Sequence, residues 1–255
     1  MIHWRLTSAQ FEAVLFAADR DRLPFPIWNA VRATDDAELG RHRSEAIETL
    51  LPRVDDDLAR VVSTLAEPQV RVHVYGRVGG DSGAPDIELR GYAGFGSSMA
   101  AVAIQDPDPQ PGVSGDVTVS LCSARQAALL LARMLPEERP GRHQLAGLKS
   151  ELDVDPDWIG GWNRPPTLRE RLDQFFSRSR VGWGEVLCYF GPFLDNRTDD
   201  VQGFGWMDFA RDGRYFVRED DSGYTASPMG HDRFVQHVEN VVWRVRELGS
   251  RSAVR

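Results

Sequence analysis

The sequence predicts an α+β fold in which an antiparallel sheet is covered by amphipathic helices. Segments with apolar residues at every second position predict strands, as in residues 70–78, where valines alternate with Arg71, His73, Tyr75 and Arg77. Segments with apolar residues three or four positions apart predict helices, as in residues 55–66. Because short turns join successive predicted strands, antiparallel pairing is favoured.

The N-terminal half alternates between these two patterns. Thr7 or Ser8 is placed to cap the first helix, and Ser123 is placed to cap the last. The predicted strands are residues 4–6, 70–78, 87–93, 98–105 and 117–121. The predicted helices are a first one through Phe11 and Leu15, then 36–51, 55–66 and 124–135.

The C-terminal half repeats the plan of several strands followed by a helix, with strands at 183–190, 203–210, 214–219 and 223–226 and a helix at about 230–248. Both halves place a serine at a strand-to-helix junction, Ser123 and Ser227, and both contain Gly-Phe-Gly, at 94–96 and 203–205. We therefore predict a quasi-two-fold internal duplication within a single domain. Its parts are an N-terminal half (1–135), a linker (136–166), a C-terminal half (167–249) and a tail (250–255).

Composition excludes several classes of protein. The formal net charge of −8 disfavours nucleic-acid binding, which needs clustered basic residues. The longest apolar run, 127–132, is far shorter than the roughly 20 residues that cross a bilayer, so we expect no membrane insertion. The N-terminus lacks the basic and then apolar order of a signal peptide, so we expect a cytoplasmic protein.

The sequence shows no arrangement typical of a catalytic or metal site. Cys122 and Cys188 lie within apolar strand patterns and are interpreted as small buried thiols. His231 and His237 share a helix but are six residues apart, whereas ligands on one helix face are three or four apart. We therefore expect no enzyme and no cofactor. The alternative is a small-molecule hydrolase or transferase without a recognisable motif, which predicts a deep pocket lined by polar groups.

Three blocks follow one another in a distinctive order. The first leads from a strand and a helix into Arg22-Leu23-Pro24-Phe25-Pro26; the second, 117–141, contains a strand, an Ala/Leu helix and a Pro/Gly exit; the third, from 213, contains Gly-Arg-Tyr-Phe-Val, then 223–228 and a long final helix. Over nearly the whole chain, this order and spacing resemble those of the EspG chaperones of actinobacterial type VII (ESX) secretion.

The resemblance implies a central antiparallel sheet flanked by helical bundles, with a quasi-two-fold relation between the halves. It also implies a cytosolic chaperone that binds the apolar tip of a PPE-type subunit in a PE/PPE-like heterodimer. Such a chaperone keeps its substrate soluble, directs it to an ESX system and uses no cofactor. Another ESX substrate is an alternative partner, and the chain is expected to be a monomer or a weak homodimer. A structural or assembly protein whose aromatic surface pairs with itself is a third interpretation.

Mapped onto this sequence, the resemblance places the substrate-binding surface on strands 183–190 and 203–209, the turn 79–85 and the final helix. No motif identifies single contact residues, so we select candidates by aromatic or apolar character. Phe204 and Trp206 are expected on one face of the sheet, with Phe209 on the other. The candidate binding residues are Trp183, Phe190, Phe204, Trp206, Phe209, Phe234 and Val238.

Overall fold

The structure, a computed structural model, describes residues 2–30, 35–79, 86–108, 110, 112–148, 166–193, 201–221 and 223–252. Over these residues the chain forms ten strands, six α-helices and a short 3-10 helix (Leu51–Arg53). The strands are β1 (Ile2–Leu6), β2 (Val70–Val78), β3 (Ile87–Phe95), β4 (Ala100–Gln105), β5 (Val117–Cys122), β6 (Leu145–Leu148), β7 (Arg180–Phe190), β8 (Gln202–Phe209), β9 (Gly213–Glu219) and β10 (Gly223–Pro228). The helices are α1 (Ser8–Phe16), α2 (Asp36–Leu50), α3 (Asp56–Ala66), α4 (Ala124–Arg133), α5 (Leu168–Phe176) and α6 (His231–Ser252).

All ten strands join one antiparallel sheet in the order β1-β5-β4-β3-β2-β7-β8-β9-β10-β6. The predicted α+β class with a central antiparallel sheet is confirmed. The central pair, β2 and β7, joins the two halves, and each half runs outward in the same order: second, third, fourth, fifth and then first strand. The internal duplication stays a prediction, because Ser227, expected at a strand-to-helix junction, lies inside β10 opposite Phe216.

One face of the sheet is covered by α4 and α6, which pack against each other. Ser123 begins α4 as predicted: its side chain accepts a hydrogen bond from the Gln126 amide, and the Gln126 side chain accepts one from the Ser123 amide. The buried residues of both helices, including Leu131 and Phe234, form a single core with the central strands. This core spans both halves of the chain.

The opposite face has two separate helical covers. At one end, α3 packs on β3, β4 and β5, while α1 packs on β1 and α2 packs on α1. At the other end, Leu172 and Phe175 of α5 pack against Phe209 and Tyr215. On this face, the outer strands of each half therefore lie under helices, whereas the central pair, β2 and β7, lies between the two helical covers.

Two elements were not predicted, and the predicted range of the final helix was too short. Helix α5 was missed, and β6 lies within residues 136–166, which were interpreted as a linker. Helix α6 runs on to Ser252, into the predicted tail. No helix among the described residues is both long and apolar enough to span a bilayer.

The two cysteines are buried and unpaired, which confirms their interpretation as small core thiols. Burial raises the pKa of Cys122 to about 11 and that of Cys188 to about 12. Both thiols are therefore protonated at neutral pH and are poor nucleophiles there.

Candidate partner-binding surface

A band of the sheet runs between the two helical covers, on the face opposite α4 and α6. It is formed by alternate side chains of the central strands, and their register places Tyr75 opposite Glu185 and Arg77 opposite Trp183. We call this band the central strip. Its members are half-buried except for Trp183, which is 42% exposed. The central strip consists of Tyr75, Arg77, Trp183, Glu185, Leu187 and Tyr189.

One glycine in each central strand, β2 and β7, shows which face of the sheet the neighbouring side chains occupy. A Cβ atom built on Gly76 or on Gly184 would collide with the indole of Trp206, which lies in the core beneath α6. Because successive side chains of a strand alternate between faces, the neighbours of Gly184 in β7 project towards the central strip. The strip thus contains the odd-numbered residues of β7.

Aromatic rings close one end of the central strip. The buried ring of His73 lies among those of Phe25, Tyr92 and Tyr189, with centroid distances of 5.9, 5.4 and 5.0 Å. Burial, together with the nearby Arg71 guanidinium, lowers the pKa of His73 to about 3. His73 is therefore neutral at physiological pH. Phe25 remains half exposed above this group, so the end of the strip presents an apolar surface.

Arg71 fixes the chain where β7 ends. Its Nη1 donates to the carbonyl oxygens of Phe190, Gly191 and Pro192 at 3.3, 2.7 and 3.0 Å. The guanidinium also lies over the ring of Tyr189, 4.5 Å from its centroid. Arg71 and His73 are buried although they alternate with the valines of β2, because this end of the central strand is packed on both faces.

The other end of the central strip is polar. Arg77 donates to Glu88 at 2.7 Å, and the Tyr75 hydroxyl donates to the same carboxylate oxygen at 3.3 Å. Beside Trp183 lies a pocket of about 440 Å³, lined by the arginines at 77, 178 and 180 and by the end of α5. The strip thus changes from aromatic to charged along its length, which gives a bound protein an orientation.

Only two of the seven predicted binding residues reach the surface. Trp183 lies on the central strip, and Phe190 is 39% exposed at the end of β7, on the opposite face beside Gly249. The other five are buried: Phe204 and Trp206 lie in the core under α6, Phe234 and Val238 belong to the buried face of α6 itself, and Phe209 lies under α5. These five side chains therefore do not reach the surface of the folded chain, because α5 and α6 pack over the strands that carry the three rings.

Phe204 and Trp206 do share a face, with Phe209 on the other, as predicted. Residue 79 is described, but the rest of the predicted turn, 80–85, lies outside the described residues.

Sequence reasoning did not select Phe25, Leu187, Tyr189 or Phe193 as binding residues. The two-residue period of β7 places Leu187 and Tyr189 on the same face as Trp183, so that signal was available in the sequence. Phe25 and the exposed Phe193 lie outside the strands, and only the tertiary structure brings them to the end of the strip.

Comparison with known proteins identifies the fold and the family. The chain is similar in structure to the Mycobacterium tuberculosis type VII secretion system chaperone EspG5, solved in complex with a PE25–PPE41 dimer. The identity is 12% and the TM-score is 0.57, with 94% of this chain and 95% of that chain covered, which shows a shared fold. A search of the curated proteins finds no match. The model of the EspG family matches residues 7–240, most of the chain, and the chain therefore belongs to the EspG family.

Proposed function

We propose that this protein is a cytoplasmic chaperone of type VII secretion that binds the apolar tip of a PPE-type subunit in a PE/PPE-like heterodimer. It keeps the pair soluble, directs it to an ESX system and catalyses no reaction. Membership of the EspG family supports this role, and so does the shared fold with EspG5, which was solved with a PE25–PPE41 dimer. We assign substrate binding to the central strip.

The observation that supports this site best is the group of partly exposed aromatic side chains on the central strip and beside it. Trp183 lies at the polar end of the strip, opposite Arg77, and Phe25 and Phe193 stand at its aromatic end, each about half exposed. Full burial of a large apolar side chain contributes about 1.5–3 kcal/mol, so covering one that is already half buried contributes about half of that. Because tryptophan and tyrosine dominate the energetics of protein interfaces, Trp183 and Tyr189 are the expected anchors.

The chemistry near the strip favours binding over catalysis. The neutral ring of His73 is enclosed by other rings, and its pKa of about 3 makes it a poor general base at neutral pH. The strip is an open part of a sheet between two groups of helices, whereas a hydrolase or transferase was expected to have a deep pocket lined by polar groups.

Coexpression with a PE/PPE-like pair tests the proposal. The pair encoded beside the gene is expected to copurify with the wild-type chain. Trp183→Asp should weaken the complex by at least about tenfold, because it places a charge in the apolar contact. Ile2→Asp is the control, since Ile2 is an apolar side chain of similar exposure on β1, at the outer edge of the sheet.

Two results would overturn the assignment. Failure of the wild-type chain to copurify with such a pair would count against the chaperone function itself. Equal loss of binding in Trp183→Asp and Ile2→Asp would remove the central strip as the site. Phe190 stays a predicted contact, and Phe190→Ala in the same assay tests it.

A further inference from the structure

A second apolar surface lies on the N-terminal half, where α1, α2 and α3 meet. They enclose an open groove of about 530 Å³. Four of the large apolar side chains that line it are exposed, and Phe16 and Leu51 are the most exposed, at 64% and 62%. Its only polar lining residues among those described are Ser63 and Glu67. The four exposed apolar side chains are Phe16, Ile47, Leu51 and Val54.

The groove has helical walls, and buried residues of the N-terminal core, such as Leu58 and Val62, also line it. The ends of α1 and α2 form one wall, and α3 forms the other. The buried positions of α3, such as Val61 and Leu65, face the sheet, while Ala59 and Ser63 line the groove with small side chains. These small residues leave space between the walls. The apolar residues at their rim are exposed in the described part of the chain, and such a patch marks an interaction site.

The chain around the groove is strongly acidic. Residues 35–67 contain nine acidic side chains and four arginines, so this segment has a net charge of −5 out of the −8 of the whole chain. The acidic run Asp55, Asp56 and Asp57 lines a surface depression that shares Ala59 with the groove. Arg60, in the same depression, pairs with Asp57. The margin therefore attracts positive charge.

We propose that this groove binds an amphipathic helix of a second protein, with the apolar face of that helix in the groove and its lysines or arginines against the acidic margin. Two helical walls with small residues between them suit an amphipathic helix laid into a groove. Charge complementarity selects the partner, because a second copy of this chain would bring an equally acidic segment to the contact. The groove lies on the N-terminal helices, away from the central strip, so both surfaces can be occupied together.

A designed peptide tests this proposal directly. The probe is a labelled helix of about 18 residues, five turns, with leucines at helical spacing on one face and lysines on the other. The control peptide has glutamates in place of the lysines. Fluorescence anisotropy should show at least about tenfold tighter binding of the basic peptide. Its affinity should fall as salt is raised from about 0.05 M to 0.5 M, because salt screens exposed charges.

Variants of exposed residues locate the contact. Leu51→Asp should weaken binding of the basic peptide at least about tenfold. Asp56→Lys should weaken only the charge-dependent part of peptide binding, so the ratio between the affinities of the basic and the acidic peptide should fall. Trp183→Asp is the control on the central strip and should leave peptide binding unchanged. The Leu51→Asp variant should still copurify with a PE/PPE-like pair, which separates this proposal from the chaperone function.

Three outcomes would overturn the proposal. The two peptides could bind equally well, or Leu51→Asp could leave binding unchanged while circular dichroism shows a folded protein. The wild-type chain could also form a dimer, detected by analytical ultracentrifugation, that Leu51→Asp abolishes. That last result would assign the groove to a second copy of this chain.

Discussion

The two halves of the sheet have the same strand order but different helical cover. Between its first and second strands, the N-terminal half contains α1, α2 and α3, whereas the described part of the C-terminal half contains only α5 there. The three helices pack on the sheet and on one another and leave an apolar groove on their outer side. The single helix α5 covers the outer strands and leaves the central strip open. Strand pairing thus sets the architecture, while the inserted helices decide which surfaces a partner can reach.

Two ion pairs, one from each half, differ in their burial, and this difference predicts the largest effect. In the C-terminal half, Arg214 donates two hydrogen bonds of 2.7 Å to the fully buried carboxylate of Asp208. In the N-terminal half, Arg5 pairs with Asp116 at 3.0 Å on the surface. Asp208→Ala should lower the free energy of unfolding by about 3–5 kcal/mol, because it leaves a buried guanidinium without its partner.

The matched change Asp116→Ala should cost less than about 1 kcal/mol, since the pair is exposed to solvent. Urea denaturation of both variants measures the two losses. Similar losses for the two would show that burial of the pair does not control its contribution.

A histidine from each half predicts a pH dependence of intermediate size. The pKa of His73 is about 3 in the folded chain, against an ordinary value of 6.5, and that of the half-buried His237 is also lowered by burial. Between pH 6.5 and 3 the unfolded chain binds more protons at position 73 than the folded chain does. The contribution is therefore fully present above pH 6.5 and is lost as pH falls, by up to about 1.4 kcal/mol per pH unit.

Urea titrations at about pH 5 and pH 7 measure this dependence. His73→Phe should remove more of the pH dependence than His237→Phe does, because His73 is more deeply buried. An unchanged dependence in His73→Phe would show that this histidine is protonated equally in the folded and unfolded chains.

The smallest effect is expected at two equivalent helix starts. Thr7 caps α1 and Thr167 caps α5, and each side chain accepts a hydrogen bond from the amide three residues on, at 3.1 and 3.2 Å. Thr7→Ala and Thr167→Ala should each lower the free energy of unfolding by about 1 kcal/mol. Thermal unfolding of both variants checks this. A loss confined to one of them would show that the two halves use their caps differently.

Local patterns in the sequence were sufficient for most of the fold. Nine of the ten strands and five of the six α-helices follow from periods of two or of three to four residues. Helix α5 was missed, although Thr167 with Glu170 is a capping box and Leu168, Leu172 and Phe175 have helical spacing. Strand β6 has only four residues, with Gly147 among them, and its pairing with β10 determines its conformation.

The candidate site was much less predictable. Trp183 is exposed, but its aromatic character did not distinguish it from Phe204 or Trp206 in the core. Burial depends on which helix packs over which strand, and that information is not local. The position of Phe25 beside His73 depends on a contact between a loop and a strand 48 residues further along the chain.

The short outer strands of the sheet limit self-association of the protein. Strand β1 has five residues and β6 has four, while the central strands β2 and β7 have nine and eleven. An outer strand leaves backbone amide and carbonyl groups available to another chain, and short strands make that templating weak. A protein proposed to shield the apolar end of another molecule thereby avoids offering a long edge along which its own copies could stack into fibres.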